Sequence, residues 1–200
     1  MKKKLLAMVL TLALLPVISL SAGALEPQDF AGGSLSGLAA DKNALLVTDT
    51  FNKVIWRVEN DAVTRWAGKP GVADLHGEPS GAYVDAKLDE ARFMEPWAIA
   101  PYLDGYAVTD TAANVVRYVD GKTVRTAAGS GVKGQTNGSG ATVSFARPTG
   151  LAAGADGELY IADTDNGLIR RLDKQGKVTT WASGLEEPTG LCWANGVLYV

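Results

Sequence analysis

Histidine and cysteine each occur once in the 200 residues, as His76 and Cys192. A metal site built from several histidines therefore cannot be assembled, and neither can a disulfide framework within the chain. With one histidine in an acidic segment, no Ser–His–Asp set is arguable either. Positive charge is also scarce: 19 Lys and Arg stand against 22 Asp and Glu, a net charge of −3. Three of those cations are Lys2, Lys3 and Lys4, so the chain beyond them carries −6. No basic stripe remains to meet phosphates, which excludes nucleic acid as a partner. A Gly-x-x-x-x-Gly-Lys-Ser/Thr phosphate loop is missing, and so is any stretch of helical period beyond residue 24.

The first 24 residues have a separate character. Behind the three lysines an apolar run extends from Leu5 to Leu20, and Ala22-Gly23-Ala24 follows it. A basic start, a short apolar run and small residues at a cleavage position make a secretory leader. The run is short for a membrane-spanning helix, and Leu25 stands where a lipoprotein would carry cysteine. Cleavage after Ala24 would leave 25–200 in the extracellular space or cell envelope with no stable membrane anchor. An uncleaved N-terminal anchor is the competing reading.

Glycine is abundant, 23 of 200 residues, which points to many tight turns. Three segments align without gaps: 43–58, 104–119 and 157–172, and 195–200 starts the same pattern. Each has an apolar run of strand length ending at Asp49, Asp110 or Asp163. A threonine and a polar turn come next, then a second β-branched run. Two such runs around a short polar turn are a hairpin. About eleven residues before each Asp stands a small residue followed by an aliphatic: Gly37-Leu38, Ala98-Ile99, Gly150-Leu151, and in the last copy Gly190-Leu191. Downstream lies a further strand, 63–68, 124–129 and 178–184. Four short strands per unit, tiled along a chain, predict an all-β fold of stacked blades.

In the third copy, Pro148-Thr149-Gly150-Leu151, then 159–164 and 166–171, resemble the NHL repeat family, and the resemblance covers nearly all of 33–200. It implies a β-propeller of four-stranded antiparallel blades, six in a complete ring. The blades should span about 34–68, 96–129 and 148–184, with a partial blade at 188–200. Phe30-Ala31-Gly32 matches Trp66-Ala67-Gly68, so 28–33 is expected to be a closing strand. About three blades and part of a fourth are expected, an incomplete ring. The Gly-His and Trp-Asp signature of WD40 repeats is absent.

Two insertions stretch the Asp-to-Asp spacing to 61 and 53 residues, Lys69 to Glu95 and Ser130 to Ala146. Loops gathered on one face of a rigid scaffold are the usual place for binding. His76, Asp85, Trp97 and Arg147 are the candidate binding residues of that loop face. Against this, Gly-rich segments of this kind are common in the family. Asp49, Asp110 and Asp163 recur in every copy, so a structural turn role is weighed against a ring of carboxylates that would hold calcium. No catalytic residue, resident metal or cofactor is assigned. Trp56, Trp66 and Trp181 are expected between blades, Trp97 and Trp193 near the axis, and Cys192 is expected to be buried. The functional expectation is a secreted, non-enzymatic scaffold for an extracellular protein, peptide or glycan. The alternative is a metal-dependent hydrolase or lactonase with its site in the central channel. Mass spectrometry of exported material should find Leu25 as the first residue; retention of Met1 would contradict the leader.

Overall fold

The computed structural model describes residues 33–60 and 62–200. The leader and nearly all of the expected closing strand 28–33 lie outside the described residues. Alternating apolar and polar positions make the strands, and Gly, Asn and Asp supply the turns between them. Blade 1 contains β1 (Leu35–Asp41), β2 (Ala44–Asp49), β3 (Val54–Glu59) and β4 (Ala62–Ala67), paired antiparallel in that order. A two-residue strand, β5 (Ala86–Lys87), lies in the first insertion. Blade 2 follows with β6 (Pro96–Tyr102), β7 (Gly105–Asp110), β8 (Val115–Val119) and β9 (Thr123–Ala128). The second insertion holds β10 (Gly138–Ser139). Blade 3 is built from β11 (Pro148–Ala153), β12 (Leu159–Asp163), β13 (Leu168–Leu172) and β14 (Lys177–Ala182). A two-stranded sheet, β15 (Cys192–Ala194) and β16 (Val197–Tyr199), ends the chain.

The repeat is visible in backbone details. Each strand entering a blade carries a register shift just after its first residue, at Leu35/Gly37, Pro96/Ile99 and Pro148/Leu151. The turn after each repeat Asp closes on a left-handed residue: Lys53, Asn114 or Gly167, with φ of 62°, 54° and 63°. Lysine is strained there, asparagine less so and glycine not at all.

Apolar cores lie between blades, as stacking requires. Ala39, Leu46, Ile55, Phe93, Ile99, Val108 and Val119 join blades 1 and 2. Ala107, Val116, Tyr118, Phe145, Leu159, Ile161 and Leu172 join blades 2 and 3. Neighbours in sequence therefore go to opposite cores: Ala107 faces one way and Val108 the other. This is the two-residue period of a sheet buried on both faces. Hydroxyls cross the same gaps. Thr48 Oγ1 donates to the Trp97 carbonyl at 2.5 Å, and Thr109 Oγ1 to the Thr149 carbonyl at 2.6 Å. Tyr106 and Tyr102 likewise donate to the carbonyls of Ala40 and Asp173, at 2.9 and 2.6 Å.

Three findings depart from the sequence expectations. One of them is Trp181, which was expected between blades but is 45% exposed near the end of β14, where its packing on Tyr160 at 5.2 Å covers only part of the ring. Blades 2 and 3 have five strands, because β5 pairs with β9 and β10 with β14 at the outer edge. The insertions are thus partly sheet, and each one covers the edge of the blade that follows it. Cys192 is exposed, not buried. It sits in a two-stranded sheet, too narrow to enclose a side chain on both faces. Trp193 in the same sheet does pack, stacked on Tyr160 with ring centroids 5.1 Å apart.

Ile161 is fully buried in the core between blades 2 and 3, whereas Val132 is 68% exposed. Ile161→Ala should cost about 2–5 kcal/mol, and Val132→Ala less than about 0.5 kcal/mol. Urea midpoints of the two variants check this contrast.

Candidate functional site

The repeat carboxylates are buried and surrounded by hydrogen-bond donors. Asp49, Asp110 and Asp163 are all fully buried. Each accepts backbone N–H groups from the chain arriving just ahead of its blade's first strand. Asp49 takes Ser34 N at 3.1 Å, Asp110 takes Glu95 N at 2.7 Å and Met94 N at 3.0 Å, and Asp163 takes Ala146 N at 2.7 Å. Asp49 alone also accepts a backbone amide of its own turn, Asn52 N at 3.0 Å. Donors therefore come chiefly from a distant segment, where the sequence suggested the adjacent turn.

Seven residues beyond each Asp a large side chain completes the arrangement: Trp56, Arg117 or Arg170. Arg117 and Arg170 are 0% exposed. Arg117 donates to Asp110 at 3.1 Å, to Asp85 at 2.6 Å, and to the carbonyls of Arg92 and Val84 at 3.1 and 3.0 Å. Arg170 repeats this with Asp163 at 2.8 Å, Asn137 at 2.8 Å, and the carbonyls of Ser144 and Thr136 at 3.2 and 3.0 Å. Each guanidinium lies over the ring of an insertion phenylalanine, Phe93 or Phe145, at 5.2 Å. Each insertion is thus clamped to its blade by one buried cation. Burial pushes the carboxyls of Asp110 and Asp163 up, while backbone amides and the arginines pull them back.

Blade 1 departs from this pattern. Trp56 has one donor, Nε1, and gives it to Asp49 at 2.8 Å. Arg65 occupies the position on β4, opposite Trp56, that Thr126 and Thr180 occupy opposite Arg117 and Arg170. Those threonines hold Asp85 and Asn137 of the insertions. Among the described residues, a cleft of about 410 Å³ in blade 1 is lined by Asn52, Val54, Trp56, Arg65 and Pro70. Beside it rises the tip of the first insertion, residues 69–80. Asp74 folds this tip by accepting His76 N and Glu78 N, and Lys53 anchors it to Glu78 at 2.9 Å. Val72 and Leu75 at the tip are 85% and 102% exposed.

The four candidate binding residues are not brought together. His76 stands exposed on the tip, 3.9 Å from Asp74. Asp85 is held at the edge of blade 2 by Arg117 and Thr126. Trp97 lies half-buried in β6, and Arg147 pairs with Asp165 at 2.9 Å. None of the four is hydrogen-bonded or ion-paired to another among the described residues. No group of three His, Cys, Asp or Glu side chains among the described residues is placed to hold a metal ion. No described helix is long and apolar enough to cross a membrane. Sequence reasoning missed Arg117, Arg170, Trp56 and Arg65. The signal for the first two was an arginine at the seventh position after Asp in two aligned copies.

Comparison with known proteins places these features in context. Residues 145–172 match the profile of the NHL repeat. The chain is 34% identical over 160 residues to the protein SUPPRESSOR OF QUENCHING 1, chloroplastic, of Arabidopsis thaliana, covering 74% of this chain and 14% of that one. A structural genomics protein of unknown function from Bacteroides thetaiotaomicron superposes with a TM-score of 0.61 at 19% identity, covering 83% of this chain and 43% of that one. An auxiliary nutrient binding protein from the same organism gives 0.57 at 14% identity, with 80% and 42% covered. The chain spans about a seventh of the plant relative and under half of each solved structure.

The clamp leads to a graded expectation. Asp163→Asn removes the only carboxylate that Arg170 contacts among the described residues and should cost about 3–5 kcal/mol. Asp49→Asn, whose donors are all neutral, should cost about 1–3 kcal/mol. Denaturant midpoints of the two variants read the difference, and equal losses would contradict the clamp.

Proposed function

Because the chain is an NHL-repeat β-propeller, with its loops anchored rigidly to its blades, we propose that it is a secreted, non-enzymatic scaffold that binds an extracellular protein, peptide or glycan on its loop face. The observation that carries this reading is the pairing in blade 1 of an open cleft with the tip beside it. A turn stapled by Asp74 and by the Lys53–Glu78 ion pair holds Val72 and Leu75 out in solvent. Exposed aliphatic side chains on a preorganised loop lose little entropy when a partner covers them, which is how rigid anchors gain affinity. The oxygens of the repeat carboxylates accept backbone amides together with Arg117 or Arg170, or at Asp49 with Trp56 and Asn52, which weighs against a channel cation there. The leader at 1–24 supports export, and the acidic balance of the remaining chain fits a partner other than nucleic acid.

Selection from displayed peptide libraries and a glycan array tests this directly. Ligands enriched on the wild type should bind the Val72→Asp/Leu75→Asp variant at least about tenfold more weakly, with its melting temperature unchanged. Ligands indifferent to that variant, or calcium-dependent turnover of lactones or esters by the wild type, would contradict it.

A further inference from the structure

Where blades 2 and 3 meet on the loop face, an acidic chain collects positive charge. The first insertion, 69–95, carries six Asp and Glu against three Lys and Arg, whereas 130–147 carries Lys133 and Arg147 and no acid. Backbone contacts fix both cations. Lys133 bridges in parallel to Phe145, and the Arg147 N–H donates to Asn114 Oδ1 at 2.9 Å. Their side chains meet on one carboxylate. Lys133 Nζ lies 2.7 Å from one oxygen of Asp165, and Arg147 Nε 2.9 Å from the other. Hydrogen bonding from Lys133, and after it from Arg147, lowers the Asp165 carboxyl from its ordinary value, so the group stays ionised. Two cations on one anion leave a net positive charge. The side chains of Lys133 and Arg147 are 65% and 50% exposed, and the terminal nitrogens of Arg147 have no partner among the described residues. An aromatic ring lies next along the surface. A Cβ built on Gly131 would stand 3.9 Å from Tyr83 Cε1 and 3.7 Å from the Ala113 carbonyl, and Ala113 precedes the Asn114 that holds Arg147. Arg117 lies over the Tyr83 ring at 5.0 Å, yet Tyr83 remains 41% exposed. Every residue of this arrangement is described.

We propose that this surface binds an anionic glycan: the acid group of one sugar sits on Arg147 and Lys133, and the face of a neighbouring sugar sits on Tyr83. The proposal rests on the scaffold reading and narrows it to one site and one ligand class. A guanidinium meets an acid group through two parallel N–H donors, and Arg147 keeps its terminal pair for that purpose while Nε holds Asp165. A sugar ring offers C–H groups on its face and hydroxyls at its rim. Those match an aromatic ring bordered by the exposed polar side chains of Ser130, Gln135 and Thr136. An acidic peptide would draw its affinity from apolar anchors, and between 130 and 136 only Val132 could meet one. Two cations also suit one acid group better than the continuous phosphates of a nucleic acid. A glycan longer than this site continues past Tyr83 towards the tip of the same insertion, where Val72 and Leu75 stand exposed.

The probes are fluorescent oligogalacturonate and sulfated oligogalactan, titrated into the exported chain by anisotropy beside neutral oligogalactan and an oligoglutamate peptide of matched length. Saturable binding of an acidic oligosaccharide is expected, and whichever of the two binds more tightly tells a carboxylate from a sulfate. The neutral sugar and the peptide should bind at least about tenfold more weakly. Lys133→Gln and Arg147→Gln should each weaken the acidic oligosaccharide severalfold, and together at least about tenfold, while Val132→Ala leaves it unchanged. Tyr83→Leu should weaken acidic and neutral sugars alike. Lys133→Gln alters an exposed side chain, so it reads the site even where Arg147→Gln lowers the melting temperature. Failure of both acidic sugars to bind overturns the proposal, and so does binding that ignores Lys133→Gln. Equal affinity for the neutral sugar overturns it, as does tighter binding of the peptide, which would assign the site to a protein partner. Ligands that depend on Val72 and Leu75 but not on Lys133 would leave the scaffold reading standing without this site, so the two failures are distinguishable.

Discussion

A buried carboxylate at the end of each blade's second strand is the constraint on which the rest of this molecule depends. Asp49, Asp110 and Asp163 have no access to water, and an ionised group in that position persists only when donors surround it. The donors come from the segment arriving before the blade, from the following strand through Trp56, Arg117 or Arg170, and in blades 1 and 3 also from Asn52 or Asn166 in the turn. Satisfying the carboxylate therefore fixes where the incoming chain crosses, how the turn closes and where the insertion lies. Local charge balance and long-range topology are set by one group.

The arginines extend that logic outward. A guanidinium has five donors, and a buried one needs acceptors that a single carboxylate cannot provide. The terminal nitrogens of Arg117 and Arg170 find theirs in the insertions, on backbone carbonyls and on Asp85 or Asn137, while the buried Nε of each has no partner among the described residues. The insertions are long because they must travel from one blade's end to the next blade's outer edge and back to the axis. Trp56 needs a single acceptor and obtains it from Asp49. On the neighbouring strand Arg65 stands exposed opposite Trp56.

Much of this architecture was legible in the sequence. Three gapless copies of an apolar run, Asp-Thr and a β-branched run gave the hairpins, their order and the propeller class, because strand period and turn chemistry act over a few residues. The insertions were read as loops, and that was incomplete. β5 and β10 are two residues each, with Gly138 among them, and neither has a strand propensity of its own. Their pairing is imposed by Arg117 and Arg170 from more than thirty residues away in sequence. The candidate site was less legible for the same reason. His76, Asp85, Trp97 and Arg147 were chosen for residue type and loop position, whereas the cleft is defined by a register: Arg65 opposite Trp56 on neighbouring strands. Alignment of the copies places Trp56 with the two arginines, but only pairing across β3 and β4 reveals that the charge has been moved to Arg65. Cys192 was misjudged because burial of a strand residue depends on how many strands flank it.

The central claim is that the buried carboxylate and the buried arginine act as one unit. A double-mutant cycle with Asp163→Asn and Arg170→Met, followed by denaturant unfolding, measures this directly. The account predicts a coupling energy of about 2 kcal/mol or more, the double variant being far less destabilised than the two single losses added together. Losses that simply add, leaving a coupling near zero, would show that the two side chains are stabilised independently and would contradict the account.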